Sequence, residues 1–149
     1  MKKLLSVVAL AAATLAMSLP AQAADTVLMM PISAAMDAND AHSRLGDSVK
    51  FYFGDAKTPK VLSKITTDKT SQRTNGFGKS SEKSCNWVFL SAMLALQKRA
   101  TDLGANAVIN IVSNYNNQEK SSQTEFECHD GAIMAGVALK GDFVKLADK

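Results

Sequence analysis

The side chains of this 149-residue chain best suited to chemistry are two cysteines, Cys85 and Cys128, two histidines, His42 and His129, and a Gly78-Lys79-Ser80 tripeptide. An even cysteine count in an exported chain reads first as a disulfide, with free thiols or metal ligands as the other readings. A Cys85–Cys128 bridge would stabilise the fold by about 4 kcal/mol in the chain-entropy model. His129 lies between Cys128 and Asp130, and His129, Asp130 and His42 are the candidate metal ligands, imidazole and carboxylate both suiting a borderline metal. Neighbours on a strand point to opposite faces, which works against Cys128 and His129 sharing one ion.

The stretch Thr74-Asn75-Gly76-Phe77-Gly78-Lys79-Ser80 resembles the end of a phosphate-binding loop. That motif needs a glycine where this chain has Arg73, and it needs a strand before it and a helix after it. No nucleotide site is therefore expected. No serine or cysteine nucleophile has a readable histidine partner, so no catalytic residue is assigned and no cofactor is implied. Met29, Met30, Met36, Met93 and Met134 fall at core-like positions and read as gap-filling rather than as copper ligands. Asn106 and Asn110 flank an apolar run, where Asn106 is expected to cap the turn from helix to strand and Asn110 to meet a backbone or helix-end group.

The elements that must position these residues begin after a targeting segment. Lys2 and Lys3, the apolar run Leu4–Met17, Pro20 and the small-x-small Ala21-Gln22-Ala23 have the layout of a signal peptide cut after Ala23. Export to the periplasm, with residues 24–149 as a single domain, is the expectation. Lys2 and Lys3 are two of the 17 basic residues, so the remaining chain has a formal charge of +1 rather than +3. Without a basic block or aromatic-basic interleaving, nucleic acid is not an expected partner. No later run is apolar enough to span a bilayer.

Period-two alternation predicts strands over residues 49–53 and 61–65, paired as a hairpin about Pro59, after a first strand ending at Pro31. Ser33 reads as the cap of a short helix from Ala34 to Leu45, stopped by Gly46. Residues 66–83, rich in Thr, Ser and Lys, read as a long mobile loop open to proteolysis. Apolar spacing predicts a main helix from Ser84 to Leu103 with Gly104 after it, Trp87, Leu90 and Leu94 forming one stripe. Ala105–Ser113 reads as an interior strand, with Val108 and Val112 on one face and Ile109 and Ile111 on the other. Phe126 and Cys128 share the core face of the next strand, and Asp130-Gly131 reads as a two-residue hairpin turn. Ala132, Met134, Gly136 and Ala138 then form a small-residue face toward the main helix, and Phe143–Leu146 a short edge segment. The expected fold is α+β: one main helix on a mostly antiparallel sheet, with a short N-terminal helix.

The run Leu103-Gly104-Ala105-Asn106-Ala107-Val108 after a long helix, with further strands ending in small residues, resembles the YbjQ-like family of heavy-metal-binding domains. It is also similar to the domain of the Rcs envelope-stress sensor lipoprotein. Those families imply a compact α+β fold, and the second implies disulfide use and protein-protein signalling in the bacterial envelope. This chain has two cysteines rather than four and no lipobox. Nearly all of residues 24–149 resembles small exported proteobacterial proteins commonly labelled "excinuclease ATPase subunit". They share the Thr-Asn-Gly-x-Gly-Lys-Ser loop, a Cys-x-Trp helix start and the segment from Cys128 to Gly141. The implied reading is a non-enzymatic periplasmic binding or interaction protein with an unknown protein or small-molecule partner, acting in envelope maintenance. The alternative is a metal-handling protein.

Overall fold

The computed structural model describes residues 25–148, so the predicted signal peptide lies outside the described residues. A curled, mostly antiparallel sheet packs against one long helix, as the α+β expectation requires. In chain order the elements are β1 (Thr26–Pro31), α1 (Ile32–Asp37), α2 (Ala41–Leu45), β2 (Lys50–Phe53) and β3 (Val61–Asn75). They are followed by α3 (Ser81–Leu103), β4 (Ala107–Ser113), β5 (Glu125–Asp130) and β6 (Met134–Leu146). Strand β6 is the centre of the sheet. One of its edges pairs with β3 from Met134 to Leu146, and the other pairs first with β5 and then with β4. Strand β1 adds to β5 antiparallel, and β2 adds to β4 parallel.

Helix α3 forms because its apolar residues recur on one broad face and both of its ends are capped. Ser80 accepts from the Lys83 N–H, so the helix starts at Ser81, three residues before the predicted start. At its other end Gly104 is left-handed (φ 72°) and Ala105 N–H reaches back to Ala100 O at 2.8 Å, a Schellman closure. Val88, Phe89, Met93, Leu96 and Ala100 are buried against the sheet. Phe89 is central, its ring stacked 4.3 Å from Phe126 of β5 and 6.0 Å from Phe53 of β2. Trp87 departs from the predicted stripe: it is 44% exposed, with the Arg44 guanidinium 5.5 Å over its ring.

Several expectations are corrected. The long polar loop is a strand as far as Asn75: Thr66, Asp68, Thr70, Gln72 and Thr74 alternate half-buried with exposed neighbours, and only residues 76–80 remain a loop. The paired backbone removes the expected proteolytic site over most of that stretch. Strands β2 and β3 do not form a hairpin, because β3 takes the far edge of β6, where a Lys- and Thr-rich edge suits water. The N-terminal helix is two short helices, broken where Asn39 and Asp40 turn left-handed, and no side chain caps the first.

In β4, Asn110 is left-handed (φ 51°) and makes a bulge, so Val108 and Ile111 share the α3 side while Ala107 and Ile109 face a second cluster with Val144 and Leu146. Strand β6 runs unbroken through Gly141, and its last four residues belong to the central strand rather than to an edge segment. A Cβ on Gly141 would sit 2.7 Å from Val108 Cγ1. The α3-facing residues of β6 are Ala135, Val137, Leu139 and Phe143, so the face bearing Gly136 and Ala138 points away from the helix. The β5–β6 connection runs over residues 131–133, closed by Gly131 N–H to Met134 O at 2.9 Å. Gly131 is not left-handed. A Cβ there would press on the Met134 carbonyl oxygen at 3.2 Å. Met29 and Met134 are also more than 40% exposed and are not core residues.

Candidate functional site

Cys85 on the first turns of α3 and Cys128 on β5 are bonded, with Cα atoms 5.9 Å apart, well within the reach of an unstrained bridge. Both are fully buried. The alternation that turned Cys128 inward beside Phe126 holds, and it places Glu127 and His129 on the opposite face of β5.

That opposite face carries a buried polar cluster. Glu127 is 4% exposed, and its carboxylate meets the His129 ring through Oε1 at 2.6 Å and the Lys120 ammonium through Oε2. The Glu127 N–H donates to Ser113 Oγ at 2.8 Å. The His129 ring lies flat on Tyr115, centroids 3.4 Å apart and planes 8° from parallel. Gly136 lies beneath this stack, where a Cβ would touch the Tyr115 ring at 3.4 Å. A cleft of about 260 Å³ opens beside it, between Arg73, Asp25, Tyr115, His129 and Met134.

Burial is the largest influence on the Glu127 carboxyl and would raise its pKa. The hydrogen bonds and charges of Lys120 and His129 outweigh it, and the pKa lies below its ordinary value of 4.5. A carboxyl whose pKa is depressed by folding contributes stability above its unfolded pKa and loses it as pH falls through the folded one. Glu127→Gln is therefore expected to cost about 1–3 kcal/mol at neutral pH. That difference should close in acid, below 4.5. Urea unfolding of both proteins across pH reads it, and a difference that does not narrow in acid would be inconsistent with an ionised Glu127.

At the end of the sheet where β3 and β6 meet the loops, Gly76 N–H donates to Ile133 O at 2.7 Å, tying the β3–α3 loop to the β5–β6 loop. Three apolar side chains stand out there: Phe77 at 74%, Ile133 at 64% and Met134 at 45% exposure. The strand and helix that a phosphate-binding loop requires do flank residues 76–80, although Arg73 still replaces its first glycine. Within the loop, Phe77 N–H donates to Asn75 Oδ1 and the Lys79 ammonium turns back to Asn75 O at 2.9 Å.

The metal-ligand candidates are not brought together. His129 faces Glu127 and Tyr115, whereas Asp130 faces α3 and accepts from the Ser81 hydroxyl. His42 is 70% exposed on α2 beside Asp37. Among the described residues no three His, Cys, Asp or Glu side chains converge on one point. Asn106 does not cap the helix-to-strand turn. It pairs with the Leu146 backbone through both ends of its amide, while Asn110 donates to the Asp142 carboxylate at 2.9 Å. A cleft of about 450 Å³ between Lys50, Tyr52, Asn106 and Leu146 holds none of the candidate ligands. Sequence reasoning missed Glu127, although Glu127-x-His129 on a strand puts both side chains on one face. No protein-family model, curated protein or solved structure matches this chain.

Proposed function

We propose that the chain is an exported, non-enzymatic binding protein of the bacterial envelope that engages a protein partner through the loops at the Phe77–Ile133 end of its sheet. The observation that carries the reading is the exposure of Phe77, Ile133 and Met134 together. The Gly76–Ile133 hydrogen bond holds the loop that carries Phe77 against the loop that carries Ile133, next to Met134 at the start of β6. Clustered exposed apolar side chains of this kind mark interaction surfaces more often than isolated ones do. The signal-peptide layout supports the compartment, and the resemblance to envelope proteins supports the setting. The bridge suits an oxidising space.

A photo-crosslinking amino acid at position 77 tests the docking surface in intact cells, with position 98 as control because Lys98 is 77% exposed on the wet side of α3. The expected result is a discrete adduct from position 77 and none from position 98. Equal labelling from both positions, or from neither, would contradict a docking surface at these loops.

A further inference from the structure

Beside that loop end, and independent of it, lies a cavity of about 270 Å³ walled by Asn39, Thr74, Lys79, Lys83, Ser84 and Trp87. Lys83 and Trp87 are four residues apart on one face of the first turns of α3, and Lys79 comes from the loop before the helix. Thr74 at the end of β3 and Asn39 in the break between α1 and α2 close the other sides. We infer that this cavity binds a small soluble organic anion, a phosphate or carboxylate carried on a single flat ring.

Four observations converge on that class. The wall contains two lysines and no acid, and Arg44 adds a third cation at the Trp87 ring. Lys79 spends one of its three donors on Asn75 O, which leaves two. The first turn of α3 adds its positive dipole end and the N–H groups of Ser81 and Glu82, which have no partner inside the helix. The half-buried Asp130 carboxylate nearby is already bonded through Oδ2 to the Ser81 hydroxyl.

Trp87 supplies the apolar half of the recognition. It keeps 44% of its surface exposed on a helix whose neighbouring residues Cys85, Val88 and Phe89 are fully buried. A tryptophan face so placed is a stacking platform, and a negative substituent on the stacked ring would be drawn to the flanking cations. The volume is too small for a nucleotide and suits one ring with one oxyanion.

Ser84 is the most informative wall residue. It is 1% exposed and its hydroxyl has no hydrogen-bond partner. A buried donor left unmade is costly to the free protein, so its retention at the cavity wall points to a partner that arrives with the ligand.

Trp87 is the only tryptophan in the chain, so selectively excited tryptophan emission reports on this cavity. The test titrates the oxidised protein with phenyl phosphate, with benzyl alcohol as the uncharged ring, inorganic phosphate as the ringless anion and phosphatidylglycerol vesicles as a lipid source of phosphate. Phenyl phosphate is expected to change the emission saturably, with the other three weaker or without effect. Lys83→Gln, at an exposed position, should weaken binding about tenfold by loss of a charge-assisted contact. Ser84→Ala should weaken it too, while leaving the melting temperature of the free protein unchanged or raised. No saturable change with phenyl phosphate, an equal response to benzyl alcohol or vesicles, or unaltered affinity in Lys83→Gln would overturn the inference.

Discussion

Reducing the Cys85–Cys128 bridge should lower the melting temperature by on the order of 10 °C. The two cysteines are 43 residues apart, and the closed loop contains most of α3, all of β4 and the start of β5. In the chain-entropy model that closure stabilises the folded state by about 4 kcal/mol through the unfolded chain. A domain of this size has only about 5–15 kcal/mol of net stability, so the loss is a large share of it. The bridge also joins the helix layer to the sheet at the loop end, near the Ser81–Asp130 hydrogen bond and the Trp87 cavity. Calorimetry with and without reductant gives the shift, and the Cys85→Ala/Cys128→Ala double variant should reproduce it without reductant. Identical melting temperatures would mean that the bridge carries no stability.

Truncating Phe89 to alanine should cost about 3–5 kcal/mol, comparable with losing the bridge. The ring is fully buried and stacks on Phe126 from β5 and Phe53 from β2, so it fastens two branches of the sheet to the helix. Those branches lie on either side of the split along β6, and neither can collapse far into the space left without breaking its own pairing. Phe89→Leu, which keeps most of the volume, should cost less than half as much. Urea unfolding of the two variants decides it, and equal losses would mean that the site relaxes around the deletion.

Helix α3 was legible because its apolar spacing and Gly104 agree, and β5 because Phe126 and Cys128 alternate with polar neighbours. Strand β3 was legible only over residues 61–65, since beyond them its half-buried face is Thr66, Asp68, Thr70, Gln72 and Thr74, polar residues that carry no hydrophobic period. The surviving signal was the β-branched threonines, which fit a pleated surface. The β2–β4 pairing depends on long-range packing of Phe51 and Phe53 against Val108 and Ile111, which local alternation does not encode. The Asn110 bulge was hidden because an apolar run reads the same with or without an inserted residue.

The candidate sites were legible in part. Strand geometry alone separated Cys128 from His129, and the bridge followed from the cysteine count. Trp87 was misplaced because an aromatic residue at helical spacing reads as core. Only the folded chain brings Thr74 and Asn39 together with Lys79 and Lys83 to make a cavity.

The most direct test of an exported, bridged domain is the intact mass of the protein extracted from the envelope under non-reducing conditions with a thiol-alkylating reagent. The expected species begins at Ala24, is lighter than the dithiol form by two hydrogens and carries no alkyl group. A chain that begins at Met1 with both Cys85 and Cys128 alkylated would contradict it.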